Sequence, residues 1–265
     1  MVEYPHVDQC KSLFQPAGDD LADLDPIGLA QLDESASLLT RVDRKYVLSG
    51  SELSAMLDAV AHRVAALEID AGREFAYESV YFDTPQLDFY LGAAHRRRRR
   101  CKVRTRGYLD AGVAMLEVKT KGLRGETVKV RQAHDFSQRR RLDGPATGYV
   151  DEVLGRPGLG HRLVPTLTSR SRRITLVDLD DVARVTIDRD LRCADERGAS
   201  LRLGDRVIVE TKSSGTPSFC DRWLWANGRR PEKLSKFGTS LGALRPELPS
   251  NKWHRTIGRY FADDV

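Results

Sequence analysis

Three short segments place a charged residue, nearly always a cation, at every second position. In Lys102-Val103-Arg104-Thr105-Arg106 the charged side chains alternate with uncharged ones; Glu117-Val118-Lys119-Thr120-Lys121 and Lys129-Val130-Arg131 repeat the pattern. Side chains two apart on a strand share a face. Each segment is therefore predicted to be a strand with one charged face. Two later segments mix the signs: Arg184, Thr186 and Asp188 oppose Val185 and Ile187, and Glu210 and Lys212 oppose Val207 and Val209. A sheet with one face in water gives the same alternation. The bias of sign argues for more, because like charges opposite each other on neighbouring strands cost up to about 1 kcal/mol per pair. An anion between them relieves that repulsion. Converging guanidinium and ammonium groups hold phosphates by bidentate contacts and by point charge. A carboxylate among them can hold a divalent ion that bridges phosphate oxygens.

Such faces converge best in a closed antiparallel barrel with its charge turned inward, where about eight strands leave room for a small ligand. The apolar outer face then needs helices to cover it. Strands are predicted over 76–83, 98–108, 113–121, 126–135, 183–189 and 206–213. Ser49-Gly50-Ser51-Glu52 is a capping-box pattern ahead of Leu53, Met56, Leu57 and Val60 at helical spacing. Further helices are expected over 145–154, 218–227 and 251–261, with Gly228 as a stop. The resulting class is α+β, an antiparallel barrel with helices packed outside. Arg184 and Asp188 read as an ion pair on one strand face.

Length and composition agree. The chain has 265 residues, 40% hydrophobic and 31% charged, which suits a globular unit with a substantial core. Cys10, Cys101, Cys193 and Cys220 lie far apart, so neither a disulfide framework nor a zinc site is expected, and a reducing cytoplasm is. No apolar run reaches the length of a membrane helix. The charge is unevenly spread. Residues 1–40 hold eight acidic residues and one basic, and residues 96–141 hold sixteen basic and four acidic, including the run Arg96–Arg100. A basic block of this density points to a polyanion: nucleic acid, a phosphorylated metabolite or an anionic membrane. The first 25 residues read as a solvated arm. The domain division places an acidic arm at 1–37 and the working domain at 38–262.

Eight motifs in order carry a resemblance: RVDRKY (41–46), SVYFDTPQLDFY (79–90), KVRTRGY (102–108), LEVKTK (116–121), TVKVR (127–131), RVTIDRDL (184–191), VIVETK (207–212) and SKFGTSL (235–241). Together they resemble the VTC domain, the polyphosphate polymerase branch of the triphosphate tunnel metalloenzymes, relatives of the CYTH proteins. The resemblance implies an antiparallel β-barrel tunnel surrounded by helices. It also implies transfer of the γ-phosphate of ATP onto polyphosphate, with Mn²⁺ or Mg²⁺. By motif, Lys45 resembles the tunnel lysine of the first strand, and Arg104 and Arg106 the arginine pair on the terminal phosphates. Lys119 and Lys129 resemble further tunnel lysines, with Arg131 beside them. Arg173 resembles the arginine of a Y-x-R motif, with Arg172 as the other register. Lys236 resembles the lysine of the S-K-Y motif, and Glu210 the metal-binding glutamate. Three positions depart from the pattern: Ser171 stands in place of tyrosine, Phe237 in place of tyrosine, and Asp43 in place of glutamate.

The reading implied is a phosphotransferase of polyphosphate polymerase type. Two rivals keep the same site: a hydrolase of inorganic or nucleoside triphosphates, and a polyphosphate or phosphoinositide sensor without turnover. Nucleic acid ranks last, because an inward-facing lumen excludes duplexes. The expected location is cytoplasmic, with a peripheral position at a membrane left open. If product is exported, a membrane-protein partner must supply the channel. Polymerase against hydrolase against sensor, the metal, the oligomeric state and the role of the acidic arm stay open at this stage.

Overall fold

The alternation of charged and apolar residues is built as strands. The computed structural model describes residues 21–35, 42–121, 127–178, 180 and 183–261. Its strands are β1 (Asp25–Ile27), β2 (Val42–Ser49), β3 (Val64–Leu67), β4 (Phe75–Asp83), β5 (Arg100–Tyr108), β6 (Val113–Lys121), β7 (Thr127–His134), β8 (Val164–Asp178), β9 (Ala183–Asp195), β10 (Ser200–Arg202) and β11 (Arg206–Ser213). Eight of them form one path, β2-β11-β9-β8-β4-β5-β6-β7, antiparallel at every step. β10 extends β9, and β3 pairs with the far part of β8 and with β1.

The path curls. Val47 on β2 and Tyr81 on β4 are four strands apart, yet they share one apolar cluster with Ile208, Leu167 and Phe237. The expected hydrogen-bonded closure is absent: among the described residues β2 and β7 do not pair. The physical reason is that other chain lies along the free edge of β2. The Glu232 amide donates to the Lys45 carbonyl at 2.7 Å, and the helix Lys236–Leu244 follows, buried from Phe237 onward.

The outer face is covered as the pattern requires. The helix Gly50–Val60 starts at Ser49, whose hydroxyl and Glu52 form the reciprocal capping box, and it buries Leu53, Met56, Leu57 and Val60. Those side chains meet Val185, Ile187, Val207 and Val209, the apolar faces of β9 and β11. The helix Phe219–Ala226 joins them, capped by Ser218, and Gly228 follows it at φ +74°. Helix Gly144–Leu154 covers Val80, Val103, Leu116 and Val118. The tail forms a 3₁₀ turn (Asn251–Trp253) and a short helix (His254–Tyr260).

The solvated N-terminal arm needs correction where it is described. Leu21, Leu24, Ile27 and Leu32 are buried, and β1 pairs in parallel with β3. The acidic side chains dominate this stretch by count, but its leucines and isoleucine recur often enough to dock on the sheet. Residues 1–20 and 36–41 lie outside the described residues. The strand predicted from 98 begins at Arg100, because Arg96 takes a left-handed backbone at φ +55° and ends the preceding helix Asp88–Ala94 in a turn.

Candidate functional site

Register fixes which side chains share the concave face. Lys45 stands opposite Glu210, which stands opposite Thr186. Asp188 stands opposite Arg173. Ser171 faces Tyr77, Ser79 faces Arg106, Tyr81 faces Arg104, and Arg104 faces Glu117, which faces Arg131. Residues from eight strands therefore look into one interior. At its heart is a cleft of about 240 Å³, its mouth included, lined by Tyr77, Ser79, Arg104, Arg106, Ser169, Ser171, Arg173 and Lys236.

Three carboxylates organise the cations. Glu117, only 3% exposed, accepts a hydrogen bond from Arg104 Nε at 2.7 Å and forms ion pairs with Arg104 Nη2 at 2.6 Å and Lys129 Nζ at 2.5 Å. Arg106 Nη2 is 3.9 Å away, and its buried Nε has no hydrogen-bond partner among the described residues. Asp188 takes Arg173 through Nε and Nη2, both at 2.9 Å, and Lys236 Nζ at 3.0 Å. Glu210 takes Lys45 Nζ at 2.7 Å and Lys212 Nζ at 3.3 Å. Against the cost of burial, the neighbouring cations hold all three carboxyls below their ordinary range.

The lysines show the opposite effect. Burial first, then Arg104, Lys119, Lys45 and Lys252, push Lys102 down to about 7. Burial and Arg173 bring Lys212 and Lys236 to about 8, against the raising effect of Glu210 and Asp188 respectively. Burial is the main cause of the weakened protonation, and the cations beside each lysine add to it.

The sequence-predicted residues divide into two groups. Arg104, Arg106, Arg173 and Lys236 line the cleft, and Lys45 and Glu210 join through the inner face of β2 and β11. Lys119, Lys129 and Arg131 sit on the β6–β7 flank; Lys129 reaches inward through Glu117, and Arg131 stays exposed on the edge strand. The register left open between Arg172 and Arg173 is resolved by alternation: Arg173 points inward, and Arg172 points out to Glu74. The expected Arg184–Asp188 pair does not form in that way, since Asp188 is taken by Arg173 and Lys236 while Arg184 Nη2 donates to the Leu32 carbonyl.

Sequence reasoning missed the neutral lining. Tyr77, Ser79, Ser169 and Ser171 carry no charge signal, and only their register with Arg106 and Arg173 reveals them. Ser171 donates to Asp188 at 3.1 Å and receives Lys236 Nζ at 3.0 Å. The phenol lost at that position has a cross-strand neighbour in Tyr77, whose ring lies 4.9 Å from the Arg173 guanidinium. Burial raises the Tyr77 hydroxyl above its ordinary value. Phe237 keeps its ring in use, stacked on Tyr81 at 5.1 Å.

The VTC domain model matches residues 40–245, well over half of the chain. The chain belongs to the VTC domain family. Among solved structures, this VTC domain is similar to HpAC1 from Hippeastrum, described as having a dominant triphosphatase activity, with a TM-score of 0.51 at 14% identity over 76% of this chain and 94% of that one. The likeness shows a shared fold. Lower similarity links it to a candidate adenylate cyclase from Bacillus halodurans (TM-score 0.44, 13% identity, 66% of this chain and 81% of that one). A conserved hypothetical protein from Pyrococcus furiosus follows (TM-score 0.39, 15% identity, 71% and 88%). No curated protein matches the chain.

Among the described residues no three His, Cys, Asp or Glu side chains gather as a metal cage. Glu210 is a hard oxygen donor on the inner face, with Asp188 on the neighbouring strand. That donor set fits Mg²⁺ or Mn²⁺ of the kind held by one or two carboxylates and substrate phosphates together. No described helix is long and apolar enough to cross a membrane.

Proposed function

We propose that this VTC domain binds a triphosphate in its cleft and acts as a metal-dependent phosphotransferase, moving the γ-phosphate of ATP onto a polyphosphate chain. The observation that carries the reading is the convergence of Arg104, Arg106, Arg173 and Lys236 on one cleft, with Arg106 Nε buried and unsatisfied. A buried donor without an acceptor costs about 1–3 kcal/mol, and a phosphate oxygen would satisfy it. Phosphoryl transfer needs mainly positioning and charge neutralisation. Arg104 and Arg173 are already oriented by Glu117 and Asp188, so little side-chain order remains to be gained on binding. Lys45 and Lys236 would add point charges at the ends of the bound phosphates, with Lys119, Lys129 and Arg131 along the flank. Glu210, with Asp188 beside it, would hold the ion. A bound Mn²⁺ or Mg²⁺ supplies neutralisation of charge on the phosphate oxygens.

The test is to incubate the protein with ATP and Mn²⁺ and to resolve the products on a polyphosphate gel. Polymer is expected from the native chain, and none from Arg106→Ala or Glu210→Gln with the fold intact. Full activity in both variants would refute the reading. The second reading, hydrolysis of the triphosphate with water as acceptor, gains support from the dominant triphosphatase activity described for HpAC1. It predicts phosphate release without polymer in the same assay. A sensor would bind triphosphate with no turnover. Export of a product would need a membrane-protein partner.

A further inference from the structure

The outer side of the wall carries arginines that the tunnel does not use. Glu78 lies between Tyr77 and Ser79, which line the cleft, so it points outward. Across the sheet Glu78 stands opposite Arg170, Arg170 opposite Arg192, and Arg192 opposite Arg202. With neighbouring strands about 4.8 Å apart, this is a row of guanidinium groups running at right angles to the strands. On the other side, Glu78 stands opposite Gly107. A Cβ there would sit 3.1 Å from Arg139 Cδ, so the missing side chain lets Arg139 pass over β5 to reach Glu78.

The carboxylates lie beneath the guanidinium groups. Glu78, 1% exposed, accepts from Arg139 Nε at 3.0 Å, from Arg140 Nε and Nη2 at 3.1 and 2.8 Å, and from Arg170 Nε at 2.9 Å. Against its burial, Arg140 and Arg170 hold its carboxyl below the ordinary range, so it stays ionised and keeps them in place. Arg140 and Arg170 each remain 48% exposed. Asp190 is shared by Arg192 and Arg202 at 3.0 and 2.9 Å. Arg172, the next outward residue of β8, is 53% exposed over Glu74. With the more deeply placed Arg189, 4.0 Å from Glu74, seven arginines thus stand around three carboxylates, and the six outer ones are each more exposed than the acid they pair with.

We propose that this outer arginine row is a second polyanion site, separate from the cleft, that holds a run of linear inorganic polyphosphate. The choice of polyphosphate among polyanions rests on the tunnel reading above; the presence of the site does not. Every cation in the row is an arginine, whose planar fork matches phosphate oxygens. None of the exposed large hydrophobic residues belongs to the row, which removes the anchor a membrane-binding face uses. The row presents no tyrosine or tryptophan for base stacking, and the ring beside it, Phe136, is covered by the Arg139 guanidinium at 4.3 Å instead of lying open to a base.

The experiment compares binding of long-chain polyphosphate and of tripolyphosphate to the full chain. In the Arg140→Gln/Arg172→Gln double variant, affinity for the long chain should fall about tenfold, with a shallower dependence on salt. Affinity for tripolyphosphate should not change. Arg106→Ala should do the reverse, losing tripolyphosphate while keeping most long-chain binding. Should the double variant fail to fold, Arg172→Glu, which leaves Glu78 untouched, must still weaken the long chain alone. Unchanged long-chain affinity in folded outer variants overturns the proposal. Displacement of polyphosphate from the row by single-stranded RNA of equal charge at equal concentration overturns it in favour of nucleic acid. Absence of turnover with ATP would sink the phosphotransferase reading and leave the binding result standing.

Discussion

Cations in the cleft and cations at the start of β5 obey different rules. Inside, Arg104, Arg173 and Lys45 each have a carboxylate within 3 Å. At the start of β5, Arg96–Arg100, Lys121, Lys233 and Lys252 have no ion-pair partner among the described residues. Burial, then Arg100, Arg96, Lys121 and Lys233, push Lys252 down to about 8. Paired arginines are held in one geometry, which suits them to orient a reacting phosphate. Unpaired ones set a field that acts at a distance and fades with salt. One composition signal, excess Lys and Arg, therefore covers two physical jobs, and only the acids tell them apart.

The comparison can be broken in four places. The largest effect belongs to the cleft: Arg106→Ala or Glu210→Gln should lower polymer formation from ATP by at least about a hundredfold, read on the polyphosphate gel beside a thermal melt that shows the fold retained. Next comes Glu117→Gln, which leaves the half-buried Arg104 and the more exposed Lys129 without their counter-charge. It should cost about 1–3 kcal/mol of stability, measured by denaturant unfolding, and an unchanged midpoint would show that Glu117 does not organise this flank.

A smaller effect concerns protons. Lys102, near 7, and Lys212 and Lys236, near 8, are partly neutral at pH 8. An arriving polyanion favours their charged forms, so tripolyphosphate binding at pH 8 should take up protons and weaken as pH rises from 7 to 9. Calorimetry in buffers of different ionisation enthalpy, corrected for the proton that tripolyphosphate itself loses on binding, gives the sign; net release after that correction would contradict the prediction. Without ligand the same lysines sit below their unfolded value near 10.4. The unfolded chain then binds more protons between about 8 and 10, and their contribution to stability rises with pH across that window. The smallest effect is at the unpaired group. Arg97, Arg98 and Arg99 changed to Ser should slow long-chain association several-fold at low salt, with little change at high salt or in turnover. A turnover loss equal to that of Arg106→Ala would erase the distinction drawn between the two groups.

Much of this was readable from residue order. Period-two alternation gave β5, β6, β7 and β11 and the faces of their side chains, because each strand has one charged and one apolar face. The capping box at Ser49 and the stop at Gly228 marked two covering helices. β8 escaped because around Arg170–Arg173 it is polar on both faces: Ser169, Ser171 and Arg173 look in, and Arg170 and Arg172 look out. Without contrast between faces there is no period to read. The VTC resemblance placed Arg173 and Lys236, which alternation alone did not. The organising roles of Glu117 and Asp188 needed distances, since a lone acid in a basic strand has the same letter whether it is solvated or central.

Helix Lys236–Leu244 has a consequence for handling the protein. Its Gly238 leaves space that the Trp253 ring fills, since a Cβ there would overlap the indole, and Gly242 packs against Tyr90 and Ile257 in the same way. The last turns of the chain are thus a wedge behind the helix that carries Lys236. Trimming the C-terminus to before Trp253 would remove that wedge, and the damage would register two residues from Gly238, as a lysine no longer aimed at Asp188.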